Sequence, residues 1–221
     1  DIDKLPDQLD NPFRHKFIAN VFVAETTQGN VRAAAILLID PELCFAYLEI
    51  ITTAPNVRRG TGIGGALYER VREESALLGA RGLYFECLPD EEATCPDPKV
   101  RQQNSARLKF YERYGAFPII GTEFDLAIKP GDTNMPYLVF DGLGQHSLPD
   151  GPALRKIVRA ILERKYAHLC PPEYIKRVVE SIRPNGFGLR PARYIRAAAA
   201  EPKQAVAALA GRVALVVNDR H

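Results

Sequence analysis

The chain has 221 residues, 46% hydrophobic and 25% charged. That is the make-up of a folded protein of one large domain, or one domain with an appendage, and excludes a disordered chain. No run approaches the roughly twenty apolar residues of a membrane span. No secretory signal pattern opens the chain, which starts with Asp1 and not Met and so leaves room for a missing N-terminus. The cytoplasmic location expected here rests on the scattered cysteines, read as reduced thiols. The net charge of +2 hides an asymmetry, with 15 Lys/Arg against 22 Asp/Glu in residues 1–150 and 11 against 3 in residues 151–196. An acidic front half suits a cationic acceptor. The basic back half is expected to dock on the acidic part or be solvated, in preference to binding nucleic acid.

In chain order, Asp1–Asn20 is polar, and a short helix is expected near Pro12–Ala19. Val21–Thr26 and Val31–Ile39 flank a Thr-Thr-Gln-Gly-Asn turn and read as a hairpin. After the Asp40-Pro41-Glu42 turn, Cys44–Thr53 adds a third antiparallel strand. Ile63, Leu67, Val71 and Leu78 recur at helical spacing, predicting a helix over Gly62–Leu78 closed by Gly79. Gly82–Leu88 is the next strand. Pro89–Gln103 is an irregular insert holding Asp90, Glu91, Glu92 and Asp97. A helix from Asn104 to Tyr114 follows, ended by Gly115. Phe117–Ile120 and Pro136–Asp141 read as the last strands of this part, joined through Lys129-Pro130-Gly131-Asp132. Gly142–Gly151 is a linker. Pro152–Leu169 and Pro172–Ile182 are amphipathic helices, able to pack within the chain or on a second subunit as a homodimer. Ala197–Ala210 is an Ala-rich segment with Pro202 as a helix start, and Val213–Val217 a further strand. Cys44, Cys87, Cys95 and Cys170 are scattered, with no C-x-x-C pair and no histidine at ligand spacing, which points to reduced thiols and no metal site, with a Cys87–Cys95 disulfide as the lesser alternative.

The stretch with chemical content is Arg58-Arg59-Gly60-Thr61-Gly62-Ile63-Gly64-Gly65, between a strand and a helix. Backbone amides unobstructed by side chains at a helix N-terminus, with the helix dipole behind them, form an anion site. Gly60, Gly62 and Gly65 satisfy G-x-G-x-x-G, and Glu86 follows about twenty residues on, as in a dinucleotide fingerprint. A dinucleotide turn follows its strand directly, whereas here Ala54-Pro55-Asn56-Val57 and two arginines intervene. Arg59, Gly62 and Gly64 also satisfy R-x-x-G-x-G. That pattern resembles the pyrophosphate loop of the N-acetyltransferase superfamily called GNAT. Asn104-Ser105-Ala106-Arg107-Leu108-Lys109-Phe110-Tyr111-Glu112-Arg113-Tyr114-Gly115-Ala116 resembles the same family's N-x-x-A-x-x-[FL]-Y-x-x-x-G-[FA] helix. The resemblance covers roughly Val21–Asp141.

It implies an α/β fold: a mixed, mainly antiparallel sheet flanked by helices, within residues 1–144. Residues 145–221 would be a basic, mainly helical extension. A weaker resemblance to fusions with deacetylase-type amidohydrolase domains implies a further, covalently linked C-terminal domain. The implied activity is transfer of an acetyl group from acetyl-CoA, as co-substrate, to an amine. The alternatives are a non-catalytic acyl-CoA sensor or interaction module, and a dinucleotide-binding enzyme.

Such transfer needs the pyrophosphate and pantetheine held, a proton taken from the ammonium and one given to the departing thiolate. The first falls to the backbone of Arg59, Gly60, Thr61, Gly62, Ile63, Gly64 and Gly65, with the charge of Arg58 or Arg59. By resemblance, the main chain of Ile51, Thr52 and Thr53 holds the pantetheine, and Asn104 caps its helix or contacts the coenzyme. Glu86, on an otherwise apolar strand, is the first candidate base, because desolvation raises a carboxylate's pKa towards the working range. Glu49 and a water relay compete with it. Tyr111 matches the family's thiolate-protonating tyrosine. Cys87 adjoins Glu86 as a remote nucleophile candidate, and the acidic insert is a candidate acceptor-binding loop.

Overall fold

The computed structural model describes residues 16–195, except 56, 58, 59, 129–134 and 167, together with a strand at 211–216. In chain order the elements are β1 (Ile18–Thr26), β2 (Val31–Asp40), β3 (Phe45–Thr53), α1 (Ile63–Leu77), β4 (Leu83–Cys87), α2 (Pro98–Glu112), β5 (Ala116–Ile120) and β6 (Tyr137–Asp141). Then come α3 (Gly151–Ala160) with a π-helical turn at Ile161–Lys165, α4 (Pro172–Ser181), β7 (Gly188–Leu189) and β8 (Gly211–Val216). The chain divides into two compact units, Asp1–Leu83 with Lys203–His221, and Tyr84–Pro202.

In the first unit the strands run β8-β1-β2-β3, every pairing antiparallel. β1 and β2 alternate buried and half-exposed residues, the period of a sheet covered on one face. Their hairpin turns at Gly29, whose φ is 80°, while Thr26 Oγ1 accepts from the Gln28 and Asn30 amides. α1 packs across β1, β2 and β3. It buries Leu67, Tyr68 and Val71, as the strands bury Phe22, Leu37 and Phe45. Each such side chain contributes about 1.5–3 kcal/mol. Gly79, at φ 81°, ends α1 as expected, its amide donating to Ala76 O and that of Ala80 to Ser75 O.

The second unit orders its strands β7-β5-β6-β4, with β5 antiparallel to β6 and β7. Tyr84 and Phe140 meet at 5.3 Å between ring centroids. α3 and α4 pack on each other and bury Leu154, Ile157, Val158, Tyr174, Ile175 and Val178. This is the amphipathic pattern expected of them. The fold is thus α/β with a mainly antiparallel sheet flanked by helices.

The structure departs from the sequence reading in places. Ile18 and Ala19 belong to β1, not to a helix; residues 12–15 lie outside the described residues. The helix expected from Asn104 starts at Pro98, because Asp97 caps it, Oδ1 accepting from Lys99 N at 2.8 Å and Val100 N at 3.3 Å, with proline in the first turn. The helix expected over Pro152–Leu169 is α-helical only to Ala160, then passes through the π turn and ends. Gly142–Gln145 is an ordered turn: Asp141 Oδ1 accepts from Leu143 N at 2.7 Å, and a Cβ on Gly142 would stand 1.9 Å from His146 O. The expected terminal strand is β8, whose backbone pairs with β1. The Lys129–Asp132 turn and the Ala197–Ala210 segment with Pro202 lie outside the described residues.

Candidate functional site

In the first unit, β3 ends in half-buried Ile51 and exposed Thr52 and Thr53. The register of β2 against β3 passes from Ile36↔Ile50 to Leu37↔Leu48, which leaves Glu49 as an extra, bulged residue. A bulge re-aims the side chains that follow it, so the half-buried Glu49 marks a change of pleat on the strand leading into the glycine loop. Ala54 N then donates to Arg32 O, and Val57 N to Ala54 O. Arg58 and Arg59 lie outside the described residues.

Gly60 and Gly62 have φ of 85° and 78°, a conformation that costs an ordinary L residue about 1–2 kcal/mol. Gly62 is the N-cap of α1; it offers no capping side chain, and the first turn holds no acidic residue. The first intrahelical bond is Ala66 N to Gly62 O at 2.9 Å, so the amides of Ile63, Gly64 and Gly65 precede the helix's own ladder. A side-chain carboxylate, the usual neutraliser of this positive pole, is not supplied here. Gly60, Thr61 and Gly62 are exposed and Ile63 to Gly65 half-buried. A Cβ on Gly64 would meet only Thr53 Cγ2, at 4.0 Å, so the helix starts directly beside the strand end. Thr53 at the end of β3 and Gly64 in the first turn of α1 are thus neighbours, and the exposed Gly60, Thr61 and Gly62 lead into that helix start.

In the second unit, β4 carries Phe85, Glu86 and Cys87 on alternating faces. Phe85 stacks on Tyr111 at 4.4 Å between centroids, and the Cys87 and Tyr111 charges act on each other. Glu86 points the other way. It is half-buried, and its charge helps raise the pKa of Cys170 and Tyr174. Glu86 and Tyr111 thus stand on opposite faces of β4. Tyr111 is 5% exposed, and burial pushes its phenol well above the ordinary range. Burial also pushes the Cys87 thiol up to about 12, more than nearby Arg107 lowers it, which disfavours Cys87 as a thiolate nucleophile. Asn104 lies within α2, not at its start, and is 3% exposed. Its Nδ2 donates to Pro89 O at 2.8 Å and faces Cys95 Sγ at 3.7 Å, which ties α2 to the loop after β4.

That loop contains residues the sequence reading did not pair. Asp90 accepts from Arg190 Nη1 at 2.7 Å and from the Tyr194 hydroxyl at 2.5 Å. Glu91 accepts from Arg193 Nη2 at 2.6 Å. The opposed charges of residues 1–150 and 151–196 were the only sequence signal for these contacts. Among the described residues no group of three His, Cys, Asp or Glu side chains could hold a metal ion. No described helix is long and apolar enough to cross a membrane.

No family model matches the chain, and no curated protein does. Its structure is similar to that of a tandem GNAT protein from the clavulanic acid biosynthesis pathway, at 19% identity and a TM-score of 0.37 over 47% of this chain. It spans only 29% of that protein's length. It is also similar to a putative acetyltransferase from Salmonella typhimurium solved with its cofactor acetyl-CoA, at 18% identity and a TM-score of 0.45 over 68% of this chain and 78% of the other. A spermidine N-acetyltransferase chimera from Vibrio cholerae and hSSAT gives 18% identity and a TM-score of 0.47, over 66% of this chain and 78% of that one.

Proposed function

We propose that the chain is an acetyl-CoA-dependent N-acetyltransferase acting on a primary amine, with the chemistry in residues 1–144 and residues 145–221 as a basic extension. The observation that carries this reading is the start of α1. Two left-handed glycines lead into a helix with no capping side chain and no first-turn acid, inside R-x-x-G-x-G. Such a pole is stabilised by an anion, and neither the N-cap nor the first turn of α1 carries one. The pyrophosphate of acetyl-CoA fits it, held by the amides around Gly60 to Gly65 and the charge of Arg58 or Arg59. The main chain of Ile51 to Thr53 would take the pantetheine. A dinucleotide is the poorer fit, since β3 ends at Thr53 and the first glycine is Gly60.

In the reaction the amine nitrogen attacks the thioester carbonyl carbon, the carbon–sulfur bond breaks, and CoA leaves as a thiolate. The amine must first be neutral. Glu86 is the proposed base, half-buried on an otherwise buried strand; because it stands on the face of β4 opposite Tyr111, the proton would reach it through a water relay, and Glu49, at the bulge, is the other candidate carboxylate. Tyr111 is assigned to the thiolate. Burial makes this phenol a poor source of a whole proton, so Tyr111 would offer the sulfur anion a hydrogen bond and leave full protonation to water. Its burial is also the observation that favours the second reading, a non-catalytic acyl-CoA sensor, in which Tyr111 is a core aromatic.

The test is amine-dependent release of CoA thiol from acetyl-CoA, with spermidine and a lysine-containing peptide as acceptors. The proposal expects turnover, lowered about 10²–10⁴-fold in Glu86→Gln and by a smaller factor in Tyr111→Phe. Coenzyme binding without turnover, unchanged in both variants, would establish the sensor instead.

A further inference from the structure

The extension does not trail away from the second unit; it returns to it. After α4, the left-handed Asn185 and then Gly186 reverse the chain. Gly186 passes so near Gly121 that a Cβ there would stand 2.1 Å from Gly186 O. β7 then pairs with the end of β5, Ile119 opposite Leu189, and Arg190 N donates to Pro118 O at 2.8 Å. From this fixed backbone the Arg190 side chain turns inward and is 4% exposed.

Its Nη1 meets Asp90 Oδ1 at 2.7 Å, its Nη2 stands 3.9 Å from Glu112 Oε1, and its guanidinium lies over the Tyr137 ring at 5.6 Å. The next residues continue the pattern. Arg193 N and Tyr194 N donate to the Glu112 carboxylate at 3.2 and 2.8 Å. The Tyr194 hydroxyl donates to the other Asp90 oxygen, and Arg193 Nη2 pairs with Glu91. One short segment thus gathers three acids from two places: Asp90 and Glu91 in the loop after β4, and Glu112 at the end of α2. Within the loop Thr94 N and Cys95 N donate to Glu91 O, and α2 holds its two ends through Asn104 Nδ2 to Pro89 O and Arg101 Nη1 to Cys95 O. Among the hydrogen bonds of the described residues, the Asp90 and Glu91 carboxylates are bound from this segment.

Burying this charge is a poor way to gain stability. Desolvation offsets much of the attraction, and among the described residues Arg190 Nε and Nη2 have no hydrogen-bond partner. What a buried pair of this kind fixes is geometry. We propose that Gly188–Tyr194 is a strap that positions the Pro89–Cys95 loop, with Arg190 and Tyr194 as positioning residues and Asp90 as the anchor. On the acetyltransferase reading, on which this part of the proposal rests, that loop is the candidate acceptor-binding segment.

The experiment uses the full chain with Arg190→Met, Asp90→Asn and the double variant. Three quantities are read: amide hydrogen exchange across residues 89–97 and across β1–β3, thermal unfolding with and without acetyl-CoA, and kcat and KM for spermidine and the lysine peptide. Arg190→Met is expected to speed exchange at residues 89–97 by roughly a hundredfold and to leave β1–β3 unchanged. The acetyl-CoA shift stays intact, and acceptor KM rises roughly tenfold at nearly constant kcat. The double variant no longer buries a lone charge and regains thermal stability, yet its loop still exchanges fast and its KM stays high.

That dissociation separates positioning from folding. The strap is overturned if exchange at residues 89–97 is unaltered, if it rises only in step with every other segment, or if the double variant regains loop protection along with stability. If neither amine is turned over by the parent chain, the acetyltransferase reading fails, and exchange alone decides the strap.

Discussion

Replacing Gly64 by alanine separates the two reasons for having glycine at the start of α1. Gly64 lies inside the helix and, unlike Gly60 and Gly62, is not at positive φ. A Cβ there makes one ordinary contact, with Thr53 Cγ2 at 4.0 Å. Alanine in a helix gains up to about 1 kcal/mol over glycine, and near the N-terminus about half of that is realistic. The free protein should therefore melt about 1–2 °C higher, at about 2–4 °C per kcal/mol for a chain of this size. Acetyl-CoA at about 100 times its dissociation constant adds about 2.7 kcal/mol to the parent, or roughly 5–10 °C. If the methyl group stands where the pyrophosphate must approach and weakens binding tenfold, the same ligand concentration adds only about 1.4 kcal/mol. Gly64→Ala should thus be more stable alone and about half as responsive to coenzyme. Gly62→Ala is the control: its Cβ meets nothing within 4 Å, so its cost is the left-handed strain of about 1–2 kcal/mol. Differential scanning calorimetry with a coenzyme titration reads both terms. A stabilised Gly64→Ala with the full parental coenzyme response would refute the reasoning, because the helix start would then have no ligand to accommodate.

Three further outcomes follow from single groups. Asp97→Ala removes the α2 cap and should lower stability by about 1 kcal/mol in urea unfolding; no loss would mean that the carboxylate's two backbone bonds contribute nothing. Burial raises the Asp90 pKa, but the hydrogen bonds from Arg190 and Tyr194 outweigh it and hold the carboxyl below its usual range. Its contribution is therefore present above the unfolded carboxylate pKa and is lost as pH falls through the lower folded value. The stability gap between the parent and Asp90→Asn should shrink on acidification, and a constant gap would contradict the assignment. A thiol reagent at neutral pH should modify the half-exposed Cys44 quickly and the buried Cys87, Cys95 and Cys170 only on unfolding, as peptide mapping by mass spectrometry would show.

The sequence was most informative where short-range periodicity and turn chemistry decide the structure. The β1–β2 hairpin, β3, α1 with its Gly79 stop and β4 all follow from alternation, helical spacing and punctuating glycines. The early start of α2 was also written locally, as Asp97 followed by Pro98, but two prolines in a charged stretch resemble loop punctuation as much as a capped helix. The π turn leaves little trace, since Leu154, Ile157, Val158, Ile161 and Leu162 fit an uninterrupted α-helix equally well. At the candidate site, the glycine loop was legible because its chemistry is contiguous. Glu86 and Tyr111 could be named but not oriented, because which face of β4 each one meets depends on where α2 and α4 pack. Arg190 and Asp90 were out of reach: they are 100 residues apart, and charge balance carries a sign but no address. The Glu49 bulge was equally silent, since it exists only in the pairing of β3 with β2.

The most direct test of the central claim is thermal unfolding of the full chain with acetyl-CoA, CoA, NAD and ATP in parallel. The account predicts a rise of several degrees with acetyl-CoA and with CoA, which share the pyrophosphate and pantetheine, and little with NAD. A rise with NAD and none with acetyl-CoA would contradict it and return the glycine loop to the dinucleotide reading.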